Sequence, residues 1–256
     1  MIIIKNEAEI EKIKASGAIT AEVFARVKPA VKPGVSTADL NQIVHDCIVS
    51  HGAIPSFLNY GDPPFPAAAC ISVNEEVVHG IPSPDKILRE GDIVSVDVGS
   101  YLDGYHSDAC RTFLCGKVDP RIEELVRVTE ESFWLGIEQA IPGKRIGDIS
   151  HAIQSHCEAH GFGIIRELCG HGVGHNLHED PEILNYGKAG KGIRLQEGMV
   201  LAVEPMVTLG SYRIVLLEDQ WTIVTSDRKP ASHYENTFVI RADGAEVLTC
   251  PERTRA

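Results

Sequence analysis

The sequence lacks the features that define several common classes of protein. Its seven cysteines include no CxxC pair, which argues against a disulfide framework or a Cys-rich zinc site and indicates reduced thiols. No apolar run reaches the roughly 18 residues that a membrane span needs, and the apolar start is too short for a signal peptide. The net charge of −12 argues against nucleic-acid binding. We therefore predict a cytoplasmic monomer with neither a membrane nor a nucleic acid as direct partner.

Two stretches of the sequence recur at nearly the same offset. The segment that begins at Pro33 recurs at Pro142, 109 residues later, and REGDIVSVDVG recurs 107 residues later as QEGMVLAVEPM. Apolar periodicity predicts helices over 7–27, 37–51, 120–140 and 146–160. We interpret the pattern as a duplication within a single catalytic domain, 1–256, with pseudo-repeats at about 1–117 and 118–250. Chance similarity of amphipathic segments is the alternative.

The segment Gly91–Asp108 is predicted to form a hairpin that carries two carboxylates. Asp103-Gly104 is a strong two-residue turn signal between alternating apolar residues. With this turn, two residues that face each other across the hairpin have residue numbers that add up to 207. Asp97 and Asp108 then lie diagonally on one face. Such neighbours are about 7–8 Å apart at the backbone. Two carboxylates this close need a shared proton or a cation between them.

Two further predicted strands carry one glutamate each. In the segment 199–207, Glu204 lies among small apolar residues, where a carboxylate is costly unless it is paired or bound to metal. In the segment 233–240, Glu235 taken alone is interpreted as the carboxylate of an edge strand. The residues of the segment 70–78 alternate as in a further strand, and His79 follows this segment. A lone histidine before a Gly-x-Pro turn is more often structural than catalytic.

Several histidines lie where metal ligands are often found. Glycines at 170, 172 and 174 argue against a helix, so His171 and His175 are not expected to form a helical zinc pair. His151, His156 and His160 are interpreted as helix surface, because no carboxylate is spaced to complete a site. Oxygen ligands with one imidazole suit Mn, Fe, Co or Zn, and the full set matches a two-metal site. That set is Asp97, Asp108, His171, Glu204 and Glu235.

The order of these residues carries a family resemblance that covers nearly the whole chain. The pattern consists of NEEVVHGIP with His79, Asp97 with Asp108 eleven residues later, Gly170-His171-Gly172-x-Gly174 with His178, Val203-Glu204-Pro205, and Tyr234-Glu235-x-Thr237. It resembles the type I methionine aminopeptidases. The resemblance implies an α+β pita-bread fold of two pseudo-symmetric halves, each with helices packed on a curved, mainly antiparallel sheet.

The same resemblance implies an activity and its cofactors. The activity is removal of the initiator methionine from nascent proteins whose second residue is small, with two divalent ions of Co, Mn, Fe or Zn. By similarity, Asp108 and Glu235 bridge the ions, and Asp97, His171 and Glu204 complete the ligand set. The implied partners are the N-termini of nascent chains, with the ribosome as a further candidate.

The resemblance also assigns roles to residues beside the metals. Glu204 would take the proton of the attacking water, His178 would polarise the scissile carbonyl, and His79 would bind near the scissile amide nitrogen. By position, the methionine pocket is lined by Phe65, Cys70, Leu177 and Trp221.

The sequence departs from the family pattern outside the five ligands. The family often has an aromatic residue and a histidine at the positions of Asp62 and Pro63, and an aromatic residue at Leu177. His175 is also unexpected at its position, and Ala231 replaces a serine that helps to hold a monovalent cation in some members. Two alternatives remain open, namely an X-Pro aminopeptidase or prolidase-like enzyme, and a non-catalytic binding module of the same fold.

Overall fold

The computed structural model describes residues 1–255, which contain four α-helices and fifteen strands. The predicted domain ran to Ala256, which lies outside the described residues. The helices are α1 (Glu7–Val27), α2 (Thr37–Ser50), α3 (Pro120–Ile137) and α4 (Ile146–Ala159), and a short 3-10 turn spans Lys28–Ala30. The strands of the first half are β1 (Ile54–Pro55), β2 (Cys70–Val73), β3 (Glu76–Val78), β4 (Ile93–Leu102) and β5 (Tyr105–Leu114). Those of the second half are β6 (Gly163–Ile164), β7 (Cys169–Gly172), β8 (Glu179–Leu184), β9 (Val200–Val203), β10 (Met206–Thr208), β11 (Ile214–Leu216), β12 (Ile223–Thr225), β13 (Ala231–His233), β14 (Glu235–Arg241) and β15 (Gly244–Val247).

The four predicted helices are confirmed, and local capping explains where they begin. The side chain of Asn6 accepts a hydrogen bond from the backbone of Glu9, whose carboxylate accepts one in return from the backbone of Asn6. Ser36 and Asp39 form the same reciprocal pair at the start of α2. At α3, Asp119 caps the first turn ahead of a proline that already has helical φ.

The buried face of α1 differs from the apolar stripe expected from the sequence. The apolar spacing Ile10, Ile13, Ala18, Ala21 and Phe24 predicts that Ala18 faces the core, but Ala18 is exposed, whereas Ser16, Gly17 and Thr20 are buried. A Cβ on Gly17 would lie 2.4 Å from the carbonyl oxygen of Leu248, so the helix contacts the sheet through small residues. Small and hydroxyl side chains permit this close approach, and apolar periodicity does not detect them.

The central hairpin has the predicted register. In β4 and β5, Leu102 pairs with Tyr105 and Gly99 pairs with Asp108 across the whole ten-residue ladder. The turn residue Asp103 has a φ of 49°, as a two-residue hairpin turn of this kind requires. The two-residue turn therefore sets the register of the hairpin. A slip of one residue would turn every side chain to the opposite face of the sheet.

The main sheet is antiparallel and almost symmetric about its centre. Its strand order is β1-β4-β5-β14-β9-β7-β8, with β2 added beside β4 and β15 beside β14. The centre is the β5–β14 pair, which joins the first half of the chain to the second half. Two three-stranded sheets, β13-β10-β6 and β11-β12-β3, lie beside it.

Three predicted strands are interrupted, and these predictions were wrong in detail. The segment 70–78 is broken by a turn at Asn74, whose φ is 55°. The segment 199–207 breaks at Glu204-Pro205, because a proline cannot donate to the ladder, and β10 leaves for another sheet. The segment 233–240 breaks at Tyr234, and Glu235 begins a central strand rather than an edge strand.

The helices cover one face of the sheet and form two apolar cores. The core of the first half packs α1 and α2 against Val94, Val96 and Val98 of β4. The core of the second half surrounds α3 and α4 and includes Phe133 and Ile153. Since alternate residues of β4 point to opposite faces, Asp97 is directed to the side that the helices leave free.

Within residues 1–255, no helix combines the length and the apolar character that a membrane span requires.

Candidate metal centre and substrate pocket

The five predicted metal ligands come from five strand regions and meet on one face of the main sheet. Cys110 of β5 pairs with Asp97 on one side and with Glu235 on the other, which aligns three strands in one row. Asp108 lies two residues before Cys110 and therefore on the same face. One donor atom each from Asp108, His171 and Glu235 lies within 4.8 Å of the others.

His171 presents one ring nitrogen to the carboxylates. Its Nδ1 lies 2.9 Å from the carbonyl oxygen of Gly172 and donates to it. That bond leaves the lone pair on Nε2, which lies 3.7 Å from Asp108 Oδ2 and 3.8 Å from Glu204 Oε1. A backbone acceptor behind the imidazole is the usual way in which a metal-binding histidine is oriented.

The acidic cluster is electrostatically unfavourable without positive charge. Burial raises the pKa of Asp97 to about 7, and burial together with the neighbouring carboxylates raises the pKa values of Asp108, Glu204 and Glu235 well above their ordinary range. Burial also lowers the pKa of His171 to about 3, so the imidazole is neutral at physiological pH. A divalent cation binds neutral imidazole, and its positive charge supplies the counter-charge that the clustered carboxylates need.

Buried oxygen atoms in the cluster fit a metal site. Asp97 Oδ1, Asp108 Oδ1 and Glu235 Oε1 are buried, and none of them has a hydrogen-bond donor among the described residues. An unpartnered buried acceptor costs about 1–3 kcal/mol, and more when it is charged. Cations coordinated by these oxygens would remove that penalty, and oxygens with one imidazole suit Mn, Fe, Co or Zn.

The backbone around the carboxylates is held by side-chain hydrogen bonds. Thr237 Oγ1 accepts from the backbone N–H of Asp108 at 2.9 Å and donates to its carbonyl oxygen at 2.8 Å. Arg111 donates to the carbonyl oxygen of Glu235 at 2.6 Å and to Asn236 Oδ1 at 2.6 Å. These hydrogen bonds hold β5 and β14 together beside the predicted metal ligands.

The four predicted pocket residues line one cavity of about 270 Å³ that opens onto the carboxylates. Phe65, Cys70 and Leu177 are buried, and Trp221 meets Phe65 edge-on with ring centroids 5.2 Å apart. The apolar end is therefore shaped mainly by aromatic and aliphatic surfaces, and the acidic end by the cluster.

The two predicted histidines outside the ligand set, His79 and His178, lie in the same cavity. His79 has a φ of 58°, a backbone conformation that non-glycine residues rarely adopt, and burial lowers its pKa to about 4. The ring of His178 lies 4.2 Å from that of His171, and burial lowers its pKa as well. Both lowered pKa values favour the neutral imidazole near neutral pH.

Sequence reasoning missed eight lining residues of the cavity, two of which lie beside the predicted site residues. Tyr60 lies with its hydroxyl 2.6 Å from His178 Nδ1, and no motif in the sequence indicated that contact. His233 is fully buried, and its Nε2 lies 3.6 Å from Glu204 Oε2 and 3.8 Å from Glu235 Oε2. Its position two residues before Glu235 on an alternating segment was the available signal. Further lining residues that were not predicted are Phe57, Val78, Glu167, Leu168, Cys169 and Met206.

Of the departures from the family pattern, Leu177 lines the cavity, whereas Asp62, Pro63, His175 and Ala231 do not. Trp221 donates from Nε1 to the carbonyl oxygen of Pro63 at 3.1 Å, so the loop after Tyr60 supports the pocket wall with its backbone. The Nδ1 of His175 bonds to the carbonyl oxygen of Gly104, away from the ligands. Ala231 donates its backbone N–H to the carbonyl oxygen of Asn74.

Comparison with known proteins identifies the family. The sequence profile of metallopeptidase family M24 matches residues 11–242. This chain belongs to metallopeptidase family M24. The M24 profile, together with the carboxylate–histidine cluster, indicates that divalent metal is used. The chain is accordingly a hydrolase.

The similarity to methionine aminopeptidases extends over the full length. A methionine aminopeptidase of Clostridium acetobutylicum is 50% identical over 252 residues, which cover 98% of this chain and 100% of that relative. The crystal structure of methionine aminopeptidase from Thermotoga maritima matches this M24 chain with a TM-score of 0.95 and 46% identity, and the match covers 98% and 100% of the two chains. A prolidase from Pyrococcus furiosus matches with a TM-score of 0.79 and 25% identity, over 98% of this chain and 66% of that one. The expected pita-bread fold and the resemblance to methionine aminopeptidases are confirmed.

Proposed function

We propose that this chain is a methionine aminopeptidase that removes the initiator methionine from nascent polypeptides whose second residue is small. The observation that carries the proposal is a single cavity in which an apolar pocket opens directly onto the five-ligand cluster. An unbranched apolar side chain fits the pocket, and the scissile peptide bond then lies beside the carboxylates and the two histidines.

Two divalent ions are the proposed cofactors, held by Asp97, Asp108, His171, Glu204 and Glu235. When bound, such ions lower the pKa of a shared water molecule and polarise the carbonyl under attack. Four carboxylates and one imidazole exceed what one catalytic ion usually requires, which supports a pair. The ligand chemistry admits Co, Mn, Fe or Zn, and availability selects among them.

The carboxylate of Glu204 is proposed to accept the proton of the attacking water. Glu204 follows β9 at the break before Pro205 and lies outside the strand ladder. The Nε2 of His233, which also lines the cavity, lies 3.6 Å from Glu204 Oε2. A general base must lie within hydrogen-bond reach of the proton that it takes, and Glu204 lines the cavity.

His178 is proposed to donate a hydrogen bond to the scissile carbonyl oxygen. A neutral imidazole has one donor and one acceptor nitrogen, so its partner at Nδ1 decides the role of Nε2. Burial raises the pKa of Tyr60, which keeps the phenol protonated and able to donate to Nδ1. The proton of His178 then resides on Nε2, the nitrogen proposed to stabilise negative charge on the oxygen.

His79 is proposed to contact the scissile amide nitrogen and to assist protonation of the leaving amine. Its ring meets Trp221 edge-on at 5.8 Å, and Trp221 also closes the pocket. The strained φ of His79 supports a functional role, because such conformations persist mainly where the surroundings hold a side chain in a required direction.

Hydrolysis of Met-Ala-Ser with added Mn²⁺ or Co²⁺ tests this function, with Met-Leu-Ser as the control for the second residue. We expect release of methionine from Met-Ala-Ser, little release from Met-Leu-Ser, and loss of both activities in EDTA. Stoichiometric metal binding without hydrolysis would refute the proposal.

The second candidate activity is cleavage of X-Pro peptides. It is favoured by the match to a prolidase, which extends over 98% of this chain at 25% identity. Faster cleavage of Ala-Pro-Ser than of Met-Ala-Ser would establish it in place of the methionine activity.

A further inference from the structure

A second group of potential metal ligands lies on the helical side of the second half. His156 of α4 and His160, the C-cap residue that follows this helix, are four residues apart, and their ring centroids are 4.9 Å apart. Glu131 of α3 faces them, with its Oε2 3.1 Å from His156 Nε2. One donor atom from each of the three side chains lies within 4.8 Å of the others. The sequence analysis interpreted these histidines as helix surface because no carboxylate was spaced to complete a site, and the structure adds Glu131 from the neighbouring helix.

We propose that Glu131, His156 and His160 form a surface site for a divalent zinc-like ion, separate from the catalytic cluster. Two histidines at i and i+4 on one helix face are the spacing with which helices bind Zn²⁺. Three protein ligands of the imidazole and carboxylate type, with solvent completing the tetrahedron, suit Zn²⁺. The side chains are 20%, 32% and 39% exposed for His156, His160 and Glu131, so an ion reaches them from solvent.

Neighbouring charged groups orient the three ligands. Arg127 donates to Glu131 Oε1 at 2.6 Å, which fixes this carboxylate and leaves Oε2 directed at His156. Glu124 Oε1 lies 3.2 Å from Nδ1 of His160, and a proton donated there leaves a free lone pair on Nε2. A carboxylate behind a ligating imidazole is the usual arrangement at zinc sites.

The corresponding residues of the first pseudo-repeat can be compared with this site. An offset of 109 residues relates Glu131, His156 and His160 to Glu22, Cys47 and His51, which also lie within 4.8 Å of one another. In the first half, however, the central position is a fully buried thiol, and burial raises the pKa of Cys47. A thiol must lose its proton to bind metal, whereas neutral imidazole binds directly. The site in the second half is therefore the one that binds zinc near neutral pH.

Zinc binding by the intact enzyme tests the proposal. Equilibrium dialysis with Zn²⁺ counts the bound equivalents, and anomalous scattering at the zinc edge locates them in crystals. We expect the wild type to bind one equivalent more than the variants His156→Gln, His160→Gln and Glu131→Gln. His151→Gln, on an exposed position of the same helix, is the matched control and should retain every equivalent.

Several results would overturn the site. They are equal zinc stoichiometry in the wild type and in His160→Gln, an unchanged count in Glu131→Gln, or loss of the extra equivalent in Cys47→Ser instead. Absence of an anomalous peak between α3 and α4 would do the same. Thermal melts in EDTA show whether each variant is folded, so that a lost equivalent reflects a lost ligand.

Discussion

The hydroxyl of Tyr60 lies 2.6 Å from Nδ1 of His178, and the two rings are 5.2 Å apart. The contact joins the loop before the pocket to the glycine-rich segment that carries His171. It fixes which nitrogen of His178 faces the substrate, since a donor at Nδ1 leaves the proton on Nε2.

Tyr60→Phe should therefore lower kcat more than it raises KM. The phenylalanine ring keeps the pocket wall, and only the hydrogen bond is lost. A hydrogen bond of this kind contributes about 1 kcal/mol net, and about 1.4 kcal/mol is a factor of ten in rate, so we expect a fall of up to about tenfold. Steady-state kinetics on Met-Ala-Ser measure the effect. Tyr101→Phe, whose ring stacks on His106 away from the cavity, is the control, and an effect confined to KM would contradict the assignment.

The stability of the metal-free protein should depend on pH through Asp97. Its pKa is raised from 3.8 to about 7 by burial, so the folded chain holds a proton that the unfolded chain releases above about pH 4. The contribution of this group to stability is thus fully present below about pH 4 and is lost as pH rises towards 7. The slope is up to about 1.4 kcal/mol per pH unit for one proton.

Urea unfolding in EDTA at pH 5, 6 and 7 measures this dependence as a difference between variants, which cancels the titration of the histidines. The wild type should lose stability relative to Asp97→Asn as pH rises, and added Mn²⁺ should reverse the loss in the wild type. Glu197→Gln, which removes an exposed carboxylate, should follow the wild type. Parallel curves for wild type and Asp97→Asn would show that Asp97 is not perturbed.

Leu177→Ala should widen the methionine pocket. Leu177 is 3% exposed and packs with Phe65 and Cys70, so its truncation removes apolar contact to the substrate side chain. Each methylene in such a pocket contributes about 1–3 kcal/mol to discrimination, so kcat/KM on Met-Ala-Ser should fall at least about tenfold. Phe-Ala-Ser should be cleaved better than by the wild type.

Leu184→Ala provides the control for pocket widening, because Leu184 is 39% exposed on β8 and does not line the cavity. Its kinetics should equal those of the wild type. An unchanged ratio of the Met and Phe substrates in Leu177→Ala would contradict the pocket assignment.

Gly17→Ala should destabilise the fold although alanine favours helices. Its Cβ would meet the carbonyl oxygen of Leu248 at 2.4 Å, and forced overpacking typically costs about 1–3 kcal/mol. In an open helix position the same change would stabilise by about 1 kcal/mol. Ala18→Gly, at the exposed neighbouring position, should lose only the propensity term of about 1 kcal/mol. Chemical denaturation distinguishes the two, and a stabilised Gly17→Ala would contradict the close approach.

The sequence alone determined the elements whose signals are local. Asp103-Gly104 set the register of the central hairpin, and with it the diagonal placement of Asp97 and Asp108. Capping residues and apolar periodicity set the four helices to within a few residues. These features depend on neighbours along the chain, so their chemistry is visible in the sequence. Ligand chemistry indicated the five candidate metal ligands, the family resemblance named the four pocket residues, and the fold brings both sets to one cavity.

The tertiary structure decided everything that depends on residues distant in the chain. The central position of Glu235 and the contact between Tyr60 and His178 arise from packing between separate elements. Glu131 joins His156 for the same reason, since the carboxylate comes from another helix. Sequence periodicity describes one element at a time, whereas long-range contacts are set by how the faces of different elements pack together.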